Sequence, residues 1–521
     1  MILLPVVCLW VGAAICLGAR KRLPRVSWAT AVASASLAWL AMFALLPARG
    51  GALDVSVWQP AEVFGARMSL LLDVPGWDAA FATLSLVMAI LLTSVARAGP
   101  ASAGQRAVLL GYASLGLLTM WSGTFLTVVV LWVLLDLGSF IYVVRLAPDA
   151  ATARRAVQHL AFEILGEMLV VGAAVVAGSA GAVAMGDERV PESAVLLLAG
   201  GVLLRLGLLP LHFNWTSLTQ VRRGLGSLLR LVPPATGLVV LSRQFGDGIP
   251  EPLRPWLVVA GGLGALAAGV RWLVHRDVLE DWPFLLVGLC GLGIAVAGLS
   301  SRSSAATLSS CATLLMLGGG LVSLGQVHAR RHRAVIGVAF AALAGAPFTP
   351  GGVMAGSLGE ALSLKPSGLA ALAGMAAMVL LAGGTLRAAR QESIAWSAVD
   401  RTTRAVYEAG LWLPCLALGI VWPWKSGPPG VPQLVVFLIV AVLAALVVGR
   451  LPVPSLSASG RWQRWTNWID PQPAYAFANA AYQVVLRVVR GVDDLVEGES
   501  STLWVLVLVL MIVLALGAGN A

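Results

Sequence analysis

Runs of about twenty apolar residues, repeated along the whole chain, are the feature that most constrains this fold. Each run can cross a hydrocarbon core of roughly 30 Å as a helix, since an α-helix rises about 1.5 Å per residue. Sixteen such runs occur in a chain of 521 residues, of which 59% are apolar and 12% charged. The sequence therefore predicts an all-α, multi-pass membrane protein with about sixteen transmembrane helices in a lipid bilayer.

The net charge of +10 is explained by where the basic residues lie. Loops after odd-numbered predicted helices hold 25 Lys and Arg residues, loops after even-numbered helices hold 8, and Arg205 and Arg230 lie within helices, which accounts for all 35. By the positive-inside rule the odd-numbered loops are cytoplasmic, so both termini lie outside a bacterial-type inner membrane. The basic charge is thus a topology signal, and no nucleic-acid partner is expected.

No residue pattern for catalysis or cofactor binding is visible in the sequence. The five cysteines all fall in apolar runs without a CxxC spacing, which is typical of small core residues rather than of disulfides or an iron–sulfur site. Metal-ligand clusters, a Gly-rich phosphate loop and nucleophile motifs are also missing from the sequence. We therefore expect no cofactor, no metal and no catalytic centre on this chain, and any catalysis would belong to a partner.

The chain divides into four predicted segments. They are an N-terminal segment with three helices and an external loop (1–104), a first repeat of five helices (105–246), a second, inverted repeat of five helices (254–390), and a C-terminal segment (405–521). The external loop contains LDVSVW and MSLLLDV, whose alternation favours a short hairpin. In the last segment, residues 474–498 have the pattern of an amphipathic helix lying at the membrane interface.

Two predicted spans are interrupted, and their positions suggest the repeat. The seventh span breaks around Gly207 and Pro210, and the twelfth breaks in GAPFTPGG, at 345–352. Spans four to eight and nine to thirteen would then match, with one broken helix in each block. Because five is odd, the second block would be inverted. Inverted repeats with broken helices at matching positions indicate an ion or substrate path near the bilayer midplane.

Ionisable residues within the spans cluster in the first repeat. They are Asp136, His159, Glu163, Glu167, Arg205, His212 and Arg230. Charges in a bilayer are costly and normally face a partner or a water-filled cavity. His159, Glu163 and Glu167 are four residues apart and share one helical face. This pattern is open to two interpretations, a structural ion-pair network or an ion-translocation site, and the grouping within one repeat favours the second.

Three segments, LWVLLDLGSFIYVV, LLRLGLLPLHFNW and GSLLRLVPPATGLVVLSR, occur in an order that resembles a known family. They are similar to the fifth, seventh and eighth helices of the antiporter-like subunits of respiratory complex I. Relatives of those subunits build multi-subunit cation/proton antiporters, membrane-bound hydrogenases and an inorganic-carbon uptake complex. The resemblance implies two inverted repeats joined by charged residues along the midplane. It also implies other membrane subunits as partners and protons or small cations as the ions moved.

The resemblance assigns roles to four residues of the first repeat. Asp136 falls on the family's essential glutamate, Arg205 on the lysine of the broken helix, His212 on the histidine after its proline, and Arg230 on the lysine of the next helix. Arginine does not deprotonate in proteins, whereas a buried lysine can release its proton. Arg205 and Arg230 therefore keep the positive charge and lose the relay.

In the second repeat the family's titratable groups are replaced. Cys311 and Leu315 stand where many members have histidine and lysine, and Ser357 stands near the position of a lysine or glutamate. Glu360, one turn further on, is the nearest titratable substitute. These departures predict a degenerate proton path.

Three functions stay open at this point. The chain could be an antiporter-like subunit of a redox-linked or ion-translocating complex, a scaffold subunit of an inorganic-carbon uptake complex, or an autonomous small-anion transporter that uses Arg205 and Arg230. The sequence leaves open whether such a complex is an NADH/quinone oxidoreductase or a hydrogenase-type translocase.

The predicted topology can be tested by cysteine labelling. Because its loop is strongly basic, Arg331→Cys should react with a membrane-impermeant thiol reagent only from the cytoplasmic side. Arg189→Cys, in an even-numbered loop, should react only from outside. Labelling of residue 331 from the periplasmic side would contradict the topology.

Overall fold

The computed structural model describes most of the chain up to Arg450. The described residues are 2–19, 24–48, 50–54, 68–95, 100–147, 149–209, 224–274, 277–300, 303–325, 332–363, 367–390, 400–421 and 429–450. Two compact units are distinguished, Met1–Ile469 and Asp470–Ala521. In the second unit the described residues are Ala476, Ala480, Gln483 and Arg487, all helical. His212, Arg331, the sixteenth predicted span and nearly all of 474–498 lie outside the described residues.

Helices dominate the described residues. The first three are α1 (Leu4–Gly18), α2 (Pro24–Ala44) and α3 (Val74–Thr93). They are followed by α4 (Pro100–Met120), α5 (Phe125–Leu146), α6 (Ala150–Ser179), α7 (Glu192–Arg205) and α8 (Leu225–Gln244). Next come α9 (Arg254–Leu273), α10 (Val278–Leu299), α11 (Ser304–Leu324), α12 (His332–Leu343), α13 (Pro350–Ser363) and α14 (Gly368–Arg390). The last are α15 (Arg401–Val421) and α16 (Val431–Arg450).

Sixteen helices are thus present in the described residues, and ten of them are long and apolar enough to cross a membrane. The prediction of an all-α, multi-pass membrane protein is confirmed. The observed helices do not match the predicted spans one to one, because α12 and α13 lie where a single twelfth span was predicted. The inverted repeat and the orientation of the termini stay predictions.

A short hairpin precedes α3. Strand β1 (Gly51–Asp54) pairs with β2 (Ser69–Leu72) in antiparallel register, with Gly51 opposite Leu72 and Asp54 opposite Ser69. Leu70 and Leu72 are buried while their neighbours are partly exposed, the alternation expected of a strand with one buried face. The predicted pairing is confirmed for Leu53 and Asp54, which lie opposite Leu70 and Ser69, and residues 55–58 of the first predicted segment lie outside the described residues.

Small residues allow some helices to approach each other closely. On α9 and α10, a Cβ added at Gly261 would lie 2.6 Å from the carbonyl oxygen of Gly291, and one added at Gly291 would lie 2.7 Å from that of Gly261. In a bilayer, where helices gain little from excluding water, such close backbone contact is a main source of helix association. Glycine is therefore required at these two positions by packing.

A buried arginine connects α8 to the region around the hairpin. Arg243 donates to both carboxylate oxygens of Asp73, at 2.6 and 2.7 Å, and to the backbone carbonyls of Leu71, Met120 and Ser122. Asp73 also accepts from the backbone of α3 as its N-cap. One guanidinium therefore fixes the start of α3, the end of α4 and the second strand.

The structure corrects the assignment of two basic residues to loops. Arg106 and Arg243, counted above with the loops, lie inside α4 and α8 and are buried, as are Arg205 and Arg230. Arg106 donates to the hydroxyl of Ser27 at 2.9 Å. A charged arginine near the end of an apolar run is easily assigned to the adjoining loop. The partners that allow such an arginine to be buried are distant in the chain, so the local sequence does not reveal them.

We expect Arg243→Ala to destabilise the protein strongly. It leaves the carboxylate of Asp73 and two buried carbonyls without their donor, and breaking a buried ion pair typically costs about 3–5 kcal/mol. Arg243→Lys should recover little, because an ammonium group cannot reproduce the planar fork. Thermal unfolding of the purified protein would measure both effects.

Arg189 offers the matched control. It also forms a two-point contact with an aspartate, Asp187, and these hydrogen bonds lower the pKa of Asp187 to about 2. The side chain of Arg189 is 65% exposed, so solvent screens this pair. Arg189→Ala should leave thermal unfolding nearly unchanged, and an equal effect of the two alanine variants would contradict the role of Arg243.

Candidate functional site

Three neighbouring helices bring the predicted charges together. Asp136 lies on α5, Glu163 on α6, and Arg205 is the last residue of α7. Helices α6 and α7 meet at Gly166 and Gly201, where an added Cβ would lie 3.0 Å or less from the facing backbone oxygen. Because Gly166 lies between the two glutamates of α6 and Gly201 is one turn before Arg205, this contact sets the carboxyl groups beside the guanidinium.

Arg205 is held by two carboxylates. Its Nη1 and Nη2 donate to the two oxygens of Asp136 at 2.8 and 2.9 Å, and Nη1 also donates to Glu163 at 3.1 Å. The three side chains are 5% exposed or less. A two-point contact between a guanidinium and a carboxylate fixes both the distance and the plane of the two groups. Asp136 and Arg205 therefore pair with each other, in agreement with the expectation that charges within the spans face a partner or a cavity.

An aromatic ring supports the same guanidinium. The Cζ atom of Arg205 lies 4.3 Å from the ring centre of Trp132, which is one helical turn before Asp136. The indole of Trp132 donates to the hydroxyl of Thr236 at 3.1 Å, and Thr236 donates to the carbonyl of Pro233. The Nε of Arg205 makes a long contact, 3.4 Å, with that same carbonyl. Arg205 is therefore fixed from α5, α6 and α8.

His159 and Glu167 lie on either side of Glu163 on α6. The Nε2 of His159 is 3.6 Å from Glu163, and its side chain is 14% exposed, so it stands at the edge of the cluster. Glu167 is buried one turn further along the helix. Its Oε1 atom has no hydrogen-bond partner among the described residues. The predicted stacking of these three residues on one helical face agrees with their contacts.

A cavity of about 40 Å³ adjoins this cluster. It is lined by His159, Glu163, Arg205, Leu206, Arg230, Pro233, Pro234, Pro283, Leu286, Val287 and Cys290. A cavity needs about 10–15 Å³ for each water molecule, so this one has room for about two to four. It extends from the charged cluster to the side chains of α8 and α10, so Arg230 and Arg205 both line it.

Arg230 faces α10 and α11 across this cavity. Its Cζ atom lies 5.8 Å from the ring centre of Trp282. The indole of Trp282 donates to the carbonyl of Gly319 at 3.1 Å. Gly319 ends a π-helical segment of α11, Leu315–Gly319. The prediction that Arg230 belongs to the buried charged group is consistent with this position.

Among the described residues, the positions singled out in the second half hold no buried carboxylate or basic side chain. Leu315 and Cys311 are buried on α11, and the thiol of Cys311 donates to the carbonyl of Leu289. The hydroxyl of Ser357 lies 3.1 Å from that of Ser303 and 3.3 Å from that of Thr307. Glu360, on α13, is exposed, so it is no buried counterpart of Asp136.

Some residues of the site were not predicted. Tyr112, on α4, is 4% exposed, and its hydroxyl has no hydrogen-bond partner within the part of the chain that the structure describes. Nothing in the apolar run around Tyr112 could have identified it. Trp132 could have been found, because it precedes Asp136 by four residues and so shares its helical face. Within the described residues, no group of three or more His, Cys, Asp or Glu side chains could hold a metal ion.

Comparison with solved structures shows the fold. The chain is similar to a chain of the Mrp complex from Dietzia sp. DQ12-45-1b, with a TM-score of 0.71 and 16% identity over 100% of this chain. It is also similar to chains of the membrane-bound sulfane sulfur reductase, an archaeal respiratory membrane complex (TM-score 0.63, 14% identity), and of respiratory complex I from Thermus thermophilus (0.61, 18%). These matches cover 98% and 85% of this chain.

The coverage of the matched chains differs. This chain spans 63% of the Mrp chain, 99% of the sulfane sulfur reductase chain and 100% of the complex I chain. No protein-family model matches the sequence, and no curated protein matches it. The chain therefore has the fold found in these complexes, at a level of identity that establishes the fold alone. The predicted resemblance is confirmed at that level.

Pairwise replacement of Asp136 and Arg205 should show their mutual dependence. Arg205→Leu leaves buried carboxylates without a cation, and we expect it to lower the free energy of unfolding by about 3–5 kcal/mol. Combining it with Asp136→Leu should restore a large part of that loss, because one positive and one negative charge are removed together. Thermal unfolding of the two single variants and the double variant measures the coupling, and additive losses would contradict it.

Proposed function

We propose that this chain is an antiporter-like membrane subunit of a multi-subunit, redox-linked or ion-translocating complex, and that it lacks a complete proton path of its own. The observation that carries the proposal is the buried contact of Arg205 with Asp136 and Glu163, in a protein with the fold of such subunits. A fixed ion-pair cluster of this kind can respond to charge in a neighbouring subunit without passing a proton through the chain.

The fold supports partnership with other membrane subunits. All three similar chains come from complexes, an Mrp complex, an archaeal respiratory membrane complex and a respiratory complex I. Several helices expose apolar side chains along their length, α16 most of all, with 17% of its span buried. Lipid or neighbouring subunits can cover such surfaces. We infer that this chain packs against other membrane subunits, and the co-purification described below identifies them.

Two helix ends support the proposed inverted repeat. After α7, Gly207 donates to Leu204 and Leu208 donates to Leu203, with Gly207 at φ 71°. After α12, Gly345 donates to Ala342 and Ala346 donates to Ala341, with Gly345 at φ 89°.

These are the same two hydrogen bonds, one spanning three residues and one spanning five, closed by a left-handed glycine as in a Schellman motif. They occur at the positions where the sequence predicts the two interruptions. A repeat of five spans in each half, α4 to α8 and α9 to α14, accounts for the coincidence, with α12 and α13 as the two parts of one interrupted span.

The chemistry of the two halves supports a degenerate path. A proton relay needs groups that release and rebind protons near neutral pH. Arg205 and Arg230 cannot release one. In the second half, the positions expected to titrate hold Cys311, Leu315 and Ser357, and Glu360 is exposed.

One observation bears on the alternative of a small-anion transporter. The cavity is lined by Arg205, Arg230 and His159, a set that could attract an anion. However, the charge of Arg205 is already matched by Asp136 and Glu163. An anion would have to compete with two carboxylates, which disfavours this function. The scaffold function in an inorganic-carbon uptake complex differs from our proposal only in the partner.

Co-purification tests the proposal first. An affinity tag on this chain should bring down other membrane subunits from mildly solubilised membranes, together with a redox protein. A zinc protein of carbonic-anhydrase type among the partners would favour the scaffold function instead. A chain that purifies alone and transports an anion in liposomes would overturn the proposal.

Proton stoichiometry tests the degenerate path. In liposomes, the complex with Asp136→Asn or Glu360→Gln should translocate the same number of protons per turnover as the native complex, because no proton is expected to cross through this chain. Assembly of each variant is checked by co-purification. Loss of a whole proton per turnover in either variant would contradict the proposal.

A further inference from the structure

The middle of α11 is wound differently from the rest of the helix. Residues Leu315–Gly319 form a π-helical turn, in which the N–H groups bond five residues back instead of four, and all five residues are buried. Such a turn contains one residue more than an α-helical turn needs. Turns of this kind are rare, and they often lie at functional sites. Contacts from the surrounding helices must therefore hold this segment in its winding.

Three helices pack against the end of the π segment. A Cβ added at Gly319 would lie 3.1 Å from Leu286 of α10 and 3.2 Å from Leu231 of α8. One added at Gly320 would lie 2.5 Å from Leu86 of α3. Glycine also lowers the preference of a chain for α-helical winding. The run of three glycines that ends at Gly320 thus combines close packing with a weak preference for the regular helix.

One side chain donates a hydrogen bond to this segment. The Nε1 atom of Trp282, on α10, donates to the carbonyl oxygen of Gly319 at 3.1 Å. Trp282 is fully buried, so solvent does not compete for this bond. A buried hydrogen bond stabilises the conformation that presents the acceptor. Trp282 therefore favours the winding of α11 that the structure shows.

The same indole lies beside Arg230. The Cζ atom of Arg230 is 5.8 Å from the ring centre of Trp282, within the range of about 6 Å at which a cation is attracted to a ring face. A cation over an indole draws electron density from the ring and strengthens its N–H group as a donor. Arg230 belongs to α8, whereas Trp282 and Gly319 belong to α10 and α11. The contact therefore crosses between the two proposed halves.

We propose that Trp282 is a positioning residue that couples Arg230 to the winding of α11. Arg230 shares its cavity with Arg205, Glu163 and His159, so a change of charge in that group acts on Arg230 directly. When Arg230 is drawn away from the ring, the indole becomes a weaker donor and the π segment rewinds towards the α-helix. The inference rests on the proposed function for its role, because it names the element through which a chain without a complete proton path responds to charge.

Methyl NMR of the complex in lipid nanodiscs tests the coupling. Met316 lies inside the π segment, and its isotope-labelled methyl group is identified as the resonance lost in Met316→Leu. Trp282→Phe keeps an aromatic ring and removes the N–H donor, so it should shift this resonance. Arg230→Gln should shift it as well. The double variant should shift it no further than Trp282→Phe alone, because the effect of Arg230 passes through the indole.

Trp272 provides the matched control. It is equally buried, and its indole donates to the carbonyl oxygen of Leu381 at 3.2 Å, on the regular helix α14. Trp272→Phe should therefore leave the Met316 resonance in place. An unmoved resonance in Trp282→Phe, an equal movement in Trp272→Phe, or additive shifts in the double variant would each overturn the coupling.

Deletion of Gly318 tests the rewinding. Removing one residue from a π turn leaves an α turn, so the residues before and after it keep their faces. Deletion of Ala377, in the regular helix α14, instead rotates the two parts of that helix by about 100° against each other. The first variant should assemble into the complex and the second should not. With Gly318 deleted, Arg230→Gln should no longer shift the Met316 resonance.

The outcomes separate the two proposals. Failure of the chain without Gly318 to assemble, or an undiminished shift in it, would overturn the rewinding. If the coupling is absent while partner subunits still co-purify, only this inference is refuted. If the chain purifies alone with the coupling intact, only the proposed function is refuted.

Discussion

The permanent charge of Arg205, buried among apolar helices, is the constraint on which the centre of this structure depends. A guanidinium in such a place must be surrounded by groups that replace water. Here two carboxylates, an indole ring and a backbone carbonyl do so, and they come from α5, α6 and α8. The close contact of α6 and α7 at Gly166 and Gly201 is what allows the short side-chain distances. The close packing of α6 on α7 and the buried ion pairs of Arg205 therefore depend on each other.

Arginine in place of lysine changes what such a cluster can do. Lysine is a compact point charge that can become neutral when it is desolvated, whereas arginine keeps its charge and its planar fork. With Arg205 the cation is constant, so any change of charge in the cluster must come from the carboxyl groups or from His159. This shifts the chemistry from α7 to α6, where Glu163 and Glu167 differ by one helical turn.

The sequence predicted much of this arrangement, and the parts it missed have physical reasons. Apolar runs gave the helical membrane fold, and alternation gave the hairpin, because both patterns are local. Asp136 and Arg205 could be expected to have buried partners, because charges in apolar runs are rare and costly. The contact of Arg243 with Asp73 joins residues 170 positions apart, both near helix ends. A single sequence gives no sign of such a pair.

Burial was the property that sequence predicted least well. Glu360 follows Ser357 by three residues, about one helical turn, which placed it near the expected path. The rotation of α13 nevertheless leaves Glu360 exposed while Ser357 is buried. The face that a helix presents depends on its neighbours, and those are set by long-range packing. Tyr112 shows the converse, since its hydroxyl lies in an apolar run and is buried beside charges that a local pattern cannot reveal.

The two proposed halves differ in side-chain chemistry while their helix ends agree, and the bilayer explains why these can separate. Backbone carbonyls at an interrupted helix must be satisfied inside the protein, since no lipid group can donate to them. The paired hydrogen bonds at Gly207 and Gly345 meet that need whatever the nearby side chains are. A titratable lysine or glutamate, by contrast, is required only if a proton has to pass. A chain can therefore hold the backbone of both halves, keep a charged cluster in one, and place Leu315, Cys311 and Ser357 in the other without losing the fold.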